Sequence, residues 1–246
     1  MRVIIEARGL GVKFPLKQRA KLLKSFFIKT KTAASPQNHM RWFWALKNIE
    51  FTIHQGEVIG IIGRNGSGKT TLLRTIAGVY LPDEGHLLVR GTLSPLLSIN
   101  AGFQRELSGF ENIYLQGILL GFSKKEIDMV IDDIIQFAEL EKFIYLPIKA
   151  YSSGMMARLG FSIAVHLKRD ILLIDEILGV GDSKFRRKSQ QKLAELIQNS
   201  RTTVLISSHN FEFLKKQATR ILWLEQGELK LFGDPEFVIQ NYNKNN

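Results

Sequence analysis

The fold is decided by the stretch Gly63-Arg64-Asn65-Gly66-Ser67-Gly68-Lys69-Thr70, which matches the pattern G-x-x-x-x-G-K-[ST]. It follows the short apolar run Val58–Ile62, which predicts a buried parallel strand, and it precedes a helix predicted from about Lys69 to Ala77. In that context the glycines let successive backbone N–H groups point at phosphate oxygens, and the helix N-terminus adds its positive dipole end. The stretch therefore predicts a phosphate-binding loop.

The side chains of this loop predict a nucleotide with a magnesium ion as the ligand. Lys69 supplies a mobile positive charge to the β- and γ-phosphates, and the hydroxyl of Thr70 is a ligand for Mg²⁺. The alternative is a glycine-rich turn before a helix. A chance match to the four fixed positions of the pattern is expected only about once per hundred chains of this length. The residues predicted to bind nucleotide are Gly63, Arg64, Asn65, Gly66, Ser67, Gly68, Lys69, Thr70 and Thr71.

Hydrophobic periodicity places this loop in an α/β core. The runs Ile171–Ile174 and Val204–Ile206 predict two more buried strands, with a helix around Phe185–Gln198 between them. From about Glu111 to Leu167 the pattern becomes helical, which predicts a helical insertion over roughly residues 98–165. The remaining predictions are a short edge strand Val3–Ile5 ending near Ala7, a strand Trp44–Ile53, a hairpin Ile221–Leu224 and Leu229–Phe232, and a loose Asn/Lys-rich tail after Asn241.

A pair of acids ends the predicted strand Ile171–Ile174. Asp175 can join the coordination shell of Mg²⁺ and Glu176 can polarise an attacking water, if this strand end lies beside the phosphate loop. The alternative is a strand that leads into a charged turn, which is common. His209 follows the strand Val204–Ile206, and because a lone histidine is more often structural or solvated than functional, both interpretations of it stay open.

The positive charge is concentrated in one segment. The 246 residues contain 34 Lys+Arg, 23 Asp+Glu and no Cys, a formal charge of +11, and Ala7–Ile49 carries ten basic residues and no acidic one. Within it, Leu16–Ile28 has the spacing of a basic amphipathic helix. The composition excludes disulfides, thiolate metal sites and a membrane-spanning apolar run, and the N-terminus lacks the apolar block of a signal peptide. We therefore expect a cytoplasmic globular chain with one basic segment.

A tract upstream of the acid pair resembles the signature motif of ABC-transporter ATPases, Leu-Ser-Gly-Gly-Gln. It reads Tyr151-Ser152-Ser153-Gly154-Met155 and stands at the start of an apolar helix. The order of phosphate loop, helical stretch, signature, acid pair and His209 is also the family's order, and Asp182 falls at the family's D-loop aspartate. The resemblance implies an α/β fold over one domain, residues 1–246, with a P-loop NTPase core of the ABC ATPase type, an antiparallel β subdomain and a helical insertion subdomain.

The resemblance also implies cofactors and roles. ATP and Mg²⁺ are the expected cofactors, and two subunits of this family pair head to tail, so that each signature acts on the ATP held by the other subunit. The alternative for the signature is a serine-rich N-cap before a core helix, which uses the same cap chemistry. The implied residues are Glu176 and His209 for catalysis, Thr70 and Asp175 for the metal, and Ser152, Ser153, Gly154 and Asp182 for the ATP of the partner subunit.

The chain departs from the family pattern in three places. Tyr, Ser and Met replace Leu, Gly and Gln of the signature. The Q-loop glutamine is expected near residues 98–100, where no glutamine stands, and Gln104 is out of register and stays unassigned. Phe14 stands in the favoured place for the aromatic side chain that stacks on adenine, with Trp42, Phe43 and Trp44 as alternatives.

A closer resemblance is to the ATPases of polysaccharide exporters, which move lipid-linked O-antigen, capsule or teichoic-acid chains across the inner membrane. It is carried by Phe43-Trp44-Ala45-Leu46, the variant signature, and Ala101-Gly102-Phe103 followed by Glu106–Leu115. It implies a homodimeric ATPase subunit beneath two copies of a separate polytopic membrane permease, at the cytoplasmic face of the inner membrane, with a lipid-linked glycan, O-antigen first, as the transported substrate. Because the chain ends at Asn246, no C-terminal carbohydrate-binding domain is expected.

The basic segment fits this setting. Residues 13–41 fall between the first two predicted strands, and a helix with a Leu/Phe stripe and Lys flanks suits a membrane surface, although a solvated surface helix is the alternative. Two other functions stay open, an ABC ATPase of another transporter type and a soluble ABC ATPase acting on nucleic acid or ribosomes. The second is disfavoured because the chain has neither a long coiled coil nor a second such domain, so no nucleic-acid partner is expected.

Overall fold

The computed structural model describes residues 2–16, 41–96, 102–167, 169–175, 182–199 and 202–245. The strands are β1 (Val3–Leu16), β2 (Arg41–His54), β3 (Val58–Ile62), β4 (Glu84–Val89), β5 (Leu93–Leu96), β6 (Ile171–Asp175), β7 (Thr203–Ser207), β8 (Arg220–Glu225) and β9 (Glu228–Gly233). The helices are α1 (Lys69–Ile76), α2 (Gly109–Leu119), α3 (Lys124–Asp128), α4 (Ile131–Ala138), α5 (Ser153–His166), α6 (Ser183–Asn199), α7 (Phe211–Gln217) and α8 (Pro235–Asn245). No helix among these residues combines the length and apolar character that crossing a bilayer requires.

Six strands form the sheet that carries the phosphate loop, in the order β5-β6-β7-β3-β8-β9. All pairs are parallel except β8 with β9. Successive residues of β3 belong to different hydrophobic clusters, Val58 and Ile62 to one and Ile59 and Ile61 to the other. This strand is therefore buried on both faces, which is why its sequence is an unbroken apolar run. Its carboxyl end lies at the same sheet edge as those of its parallel neighbours.

A smaller antiparallel sheet has the order β2-β1-β4. The prediction of a short edge strand ending near Ala7 is wrong, because β1 continues to Leu16 and is the middle strand. Its pairing with β2 shifts register between Ala7 and Leu10 and again before Val12. These irregularities break the period-2 alternation that reveals a strand in a sequence, although Leu10 and Val12 continue the buried face.

Helices α2 to α5 share a hydrophobic cluster of their own. The predicted apolar face formed by Ile127, Ile131, Ile134 and Ala138 is buried, but it is divided between the two short helices α3 and α4. Both α2 and α3 begin with a capping box, in which serine and glutamate satisfy each other's backbone N–H groups. These caps fix where each helix starts in the helical insertion.

The C-terminal segment is helical, so the prediction of a loose tail after Asn241 is wrong. Val238, Ile239 and Tyr242 of α8 are buried against the main sheet. The Tyr242 ring stands edge-on to Trp223 and Phe211, at centroid distances of 5.4 and 5.5 Å. Asn243 and Asn245 are exposed on this helix, while the three apolar residues hold it against the sheet.

Three sequence predictions concern residues outside those that the structure describes. They are the amphipathic helix Leu16–Ile28 beyond its first residue, the Q-loop region at 98–100, and Glu176.

Candidate nucleotide site

The predicted phosphate loop connects β3 to α1, and its glycines have backbone angles that other residues rarely adopt. Gly63 has a φ of 148° and Gly66 a φ of 80°. A Cβ on Gly63 would lie 2.2 Å from the carbonyl oxygen of Leu224 and 2.5 Å from Oγ of Ser67. The loop therefore turns tightly against β8, which only glycine permits.

The polar side chains of the loop fit a phosphate ligand. Nζ of Lys69 donates hydrogen bonds to the carbonyl oxygens of Gly63 and Arg64, at 2.8 and 3.1 Å, and these hold the buried ammonium group within the curl of the loop. The hydroxyl of Ser67 is buried and has no hydrogen-bond partner among the described residues. A buried hydroxyl without a partner is unfavourable by about 1–3 kcal/mol, so this group suits a ligand that brings acceptor oxygens.

The backbone of the loop is held between β2 and the turn that joins β8 to β9. The N–H of Gly227 donates to the carbonyl of Ser67 at 3.0 Å, and the N–H of Lys47 donates to the carbonyl of Gly227 at 2.8 Å. Gly68, which caps α1, lies so close to β2 that a Cβ there would be 2.7 Å from the carbonyl oxygen of Ala45. The loop is thus connected to the antiparallel sheet through the main chain of Gly227 and packs closely against Ala45.

Two aromatic side chains stand beside the loop. A cavity of about 440 Å³ is lined by Phe14, Phe43, Ala45, Asn65, Gly66, Gly68, Lys69, Thr70 and Thr71. Phe14 and Phe43 face each other across β1 and β2, and the Phe14 ring is also edge-on to Tyr80 at 5.1 Å. Trp42 and Trp44 do not line this cavity, because strand alternation turns them to the other face, where the Lys13 ammonium lies over both rings.

Asp175 is the last residue of β6, as predicted, but β6 is not next to the phosphate-loop strand. One strand, β7, lies between β6 and β3, and the carboxyl ends of these parallel strands share one edge of the sheet. Oγ of Ser207, at the end of β7, donates a hydrogen bond of 2.6 Å to Oδ1 of Asp175. The intervening strand therefore orients the carboxylate at the sheet edge where the phosphate loop begins.

His209 is exposed in the loop that follows β7. The residue before it, Ser208, donates its N–H to the carbonyl oxygen of Ile61 at 3.4 Å, so this loop starts against the strand that leads into the phosphate loop. The residue after it, Asn210, caps α7 by accepting the N–H of Phe213 at 3.0 Å. His209 is therefore presented at the carboxyl edge of the sheet between two fixed neighbours.

The signature tract forms the N-terminus of α5. Ser152 is the N-cap and accepts the N–H of Met155 at 3.1 Å, while Ser153 is exposed. Tyr151, which replaces the family's leucine, is buried, and its hydroxyl donates to the carbonyl oxygen of Phe143 at 2.8 Å. Burial raises the pKa of this phenol, so it remains a donor at neutral pH.

Arg158 and Glu139 have no role predicted from the sequence, and Arg158 links Glu139 to Asp182. The guanidinium of Arg158, on α5, forms ion pairs with Asp182 and with Glu139, the latter at 3.1 Å. The only sequence signal is that an arginine follows the signature within the same helix. Its two partners come from segments 19 and 24 residues away, which periodicity does not reveal.

Comparison with known proteins identifies the family of this chain. Residues 46–179 match the protein family described as ABC transporter. The chain is 43% identical, over 99% of its length, to the teichoic acids export ATP-binding protein TagH of Lactococcus lactis subsp. lactis (strain IL1403), and it spans 51% of that protein. It is 44% identical, over 87% of its length, to TagH of Staphylococcus epidermidis, of which it covers 80%. It spans only 39% of TagH from Bacillus anthracis, so several of these relatives are much longer.

Solved structures agree on the fold. The dimeric ATP-binding cassette MJ0796 bound to ADP and Pi has a TM-score of 0.74 to this chain at 21% identity, over 94% of this chain and 99% of that one. The ATP-binding subunit of another ABC transporter has a TM-score of 0.75 at 18% identity, over 98% and 93%. The fold is thus a P-loop ATP-binding cassette with an antiparallel β subdomain and a helical insertion.

The chain belongs to the ABC transporter family. The resemblance to the ATPases of polysaccharide exporters, inferred from the variant signature, is confirmed by the relatives named TagH.

Proposed function

We propose that this chain is the ATP-hydrolysing, nucleotide-binding subunit of a transporter that exports a polysaccharide. The observation that carries the proposal is the phosphate loop, in which a buried serine hydroxyl lacks a partner and a buried lysine is held by loop carbonyls. Both groups are placed to bind phosphate oxygens. The relatives named for teichoic-acid export support the transport process.

Each residue at the loop has a proposed task. The backbone N–H groups of residues 64–70 surround the phosphates, and Lys69 and Thr71 add side-chain donors. Thr70 and Asp175 are the proposed metal ligands, with Asp175 oriented by Ser207. Bound Mg²⁺ neutralises charge on the β- and γ-phosphate oxygens. Glu176 is proposed to activate water and His209 to contact the γ-phosphate.

The cavity beside the loop is the proposed place for adenine. Phe14 and Phe43 both line it, and Phe43 is 52% exposed. We assign the stacking contact to this pair, with Phe43 as the freer ring because Phe14 already packs against Tyr80. The assignment extends the sequence prediction of Phe14 and leaves Trp42 and Trp44 outside the site.

The site is proposed to be completed by a second copy of the chain. Ser152, Ser153 and Gly154 lie at a helix N-terminus, where a hydroxyl and backbone N–H groups suit an anion. In a head-to-tail homodimer they and Asp182 would act on the ATP held by the phosphate loop of the partner subunit. The subunits would sit at the cytoplasmic face of the membrane beneath two copies of a permease, with residues 13–41 near the membrane surface.

The class of the exported glycan is proposed here, with teichoic acid and O-antigen as the two candidates. The names of the relatives favour teichoic acid, whereas the sequence analysis favours O-antigen, and both are lipid-linked polysaccharides. We propose a lipid-linked glycan of this class as the substrate. The deciding experiment is co-purification of this chain with polytopic membrane proteins of its source cells, followed by measurement of which lipid-linked glycan stimulates ATP turnover.

Two outcomes would contradict parts of this proposal. Glu176→Gln is expected to lower ATP turnover by at least about 10²-fold while ATP still binds, because removal of a general base costs on that order. Unchanged turnover would contradict the assigned base. Stimulation of turnover by RNA or DNA at near-physiological salt, with no response to any lipid-linked glycan, would favour the rival nucleic-acid function.

A further inference from the structure

Four charged side chains join three helices behind the signature tract. Arg158 of α5 pairs with Glu139, which caps α4, at 3.1 Å, and with Asp182, which precedes α6. Lys188 of α6 pairs with Glu139 at 3.2 Å and donates to the carbonyl oxygen of Phe137 at 2.9 Å. We call these four residues, Arg158, Glu139, Asp182 and Lys188, the charge bridge.

Arg158 is the centre of the charge bridge. Its side chain is only 20% exposed, and its guanidinium lies 5.3 Å from the centroid of the Phe185 ring. Two different nitrogens of the guanidinium contact the two acids, NH1 with Glu139 and NH2 with Asp182. A planar fork of donors can hold two carboxylates at a fixed angle, which the single ammonium of a lysine cannot do.

Asp182 is fixed from two sides. Its Oδ1 accepts the N–H of Phe185 at 2.9 Å, which caps the start of α6, and its Oδ2 meets Arg158. The backbone N–H of Phe185, followed by the charge of Arg158, lowers the pKa of this carboxyl. The hydrogen bond from Lys188 is the largest effect that lowers the pKa of Glu139. Both acids therefore stay ionised at neutral pH, so the charge bridge persists there.

The charge bridge connects the signature tract to Asp182, and both are proposed to bind the same ATP. Ser152–Gly154 and Asp182 are both proposed to meet ATP on the partner subunit, yet 28 residues separate Gly154 from Asp182. Arg158 lies in the same helix as the signature and contacts Asp182 directly. Glu139, which Lys188 holds in turn, binds the other nitrogen of the guanidinium, so Arg158 has a second anchor besides Asp182.

We propose that Arg158 is a positioning residue, which fixes the signature tract and Asp182 as one surface for the ATP of the partner subunit. The inference rests on the proposed function. Without the guanidinium, the signature tract and Asp182 are unchanged in sequence, but the ion pair that fixes their positions relative to each other is lost. Because a displacement of about 1 Å can slow an enzymatic step by about 10²-fold, the loss appears in turnover rather than in nucleotide binding to the phosphate loop.

The test compares conservative variants of the full chain. Arg158→Lys and Glu139→Gln are each expected to lower kcat for ATP hydrolysis by roughly 10- to 100-fold, with the dissociation constant of ATP for the phosphate loop unchanged within about twofold. Arg105→Lys, an exposed arginine outside the charge bridge, is the matched control and is expected to leave kcat unchanged. Glu139→Gln keeps Arg158 and Asp182, so it tests the bridge even if Arg158→Lys folds poorly.

Combination with Asp182→Asn separates positioning from simple stabilisation. If Arg158 acts through Asp182, the double variant Arg158→Lys with Asp182→Asn has the kcat of Asp182→Asn alone. Effects that multiply, or a kcat loss equal to the loss of folded protein measured by circular dichroism, would overturn the inference. Full kcat in Arg158→Lys and in Glu139→Gln would also overturn it. If the chain without substitutions hydrolyses no ATP, that result would contradict the proposed function, and with it this inference.

Discussion

The phosphate-loop region and the signature region are two halves of one proposed site, and they are built from different parts of the chain. The phosphate loop is shaped by glycine conformations and by a main-chain hydrogen bond to Gly227 in the β8–β9 turn, which is itself bonded to β2. Side chains hold the signature tract, through the buried hydroxyl of Tyr151 and the charges around Arg158. Main-chain geometry admits few substitutes, whereas side chains can change in matched pairs. In this chain the phosphate loop matches its motif at every fixed position, whereas the signature departs from the family pattern at Tyr151, Ser153 and Met155.

The largest effect among these variants is expected at Lys69 of the phosphate loop. Lys69→Ala removes the buried ammonium that Gly63 and Arg64 hold, and loss of one such charge-stabilising donor typically lowers turnover by about 10²- to 10³-fold. ATPase kinetics at saturating ATP measure it, with Lys142→Ala, an exposed lysine in the helical insertion, as control. Equal ATPase activity of Lys69→Ala and Lys142→Ala would contradict the proposed role of the phosphate loop.

The next effect tests whether main-chain geometry fixes the loop. Gly63→Ala places a Cβ 2.2 Å from the Leu224 carbonyl, so the free energy of unfolding should fall by about 2–5 kcal/mol from overlap and strain together. Gly66→Ala is the matched control, because it meets no atom within 4 Å and pays only for its positive φ, about 1–2 kcal/mol. Urea unfolding measures both. Similar losses would show that close packing against β8 is unimportant.

A smaller effect tests whether Gly109 and Tyr151 depend on each other in the signature region. A Cβ on Gly109 would lie 2.4 Å from the Tyr151 hydroxyl, so Gly109→Ala should lower the free energy of unfolding by about 1–3 kcal/mol. Tyr151→Phe removes that oxygen. In the Tyr151→Phe background the same glycine substitution is expected to cost less, as measured by thermal unfolding of the four variants. Additive losses would mean that Tyr151 and Gly109 are not a pair.

The smallest effect concerns the aromatic cavity. Phe43→Ala should weaken ATP binding by about 0.5–1.5 kcal/mol, a typical value for one aromatic contact, while tripolyphosphate binding stays unchanged. Trp42→Ala is the control, since that ring is similarly exposed but lies over Lys13 on the opposite face of β2. Competition with a fluorescent ATP analogue measures both. Equal weakening in the two variants would contradict the placement of adenine beside Phe43.

The sequence predicted the parts of the molecule that local patterns define. The strand before the loop is found at Val58–Ile62 as predicted, because complete burial produces an unbroken apolar run. The sequence missed the length of β1, where bulges break the alternation, and it missed α8, where tertiary packing overrides an Asn-rich composition.

In the candidate site, too, local sequence patterns predict some features and miss those that depend on the tertiary structure. Local motif patterns reveal the glycines and the lysine of the phosphate loop. They do not reveal that β7 separates Asp175 from that loop, because strand order depends on the whole sheet. They also cannot reveal the partners of Arg158, which belong to other helices.

The main-chain hydrogen bonds of Gly227 have a kinetic consequence. They tie the phosphate loop to the hairpin turn on one side and to the strand that bears Phe43 on the other. The proposed surfaces for phosphate and base are therefore connected through main-chain atoms before nucleotide binds. We expect the observed association rate of ATP to rise linearly with its concentration, without the plateau that a slow conformational step would impose. The Gly227 and Lys47 amides should correspondingly exchange their hydrogens slowly even before nucleotide arrives.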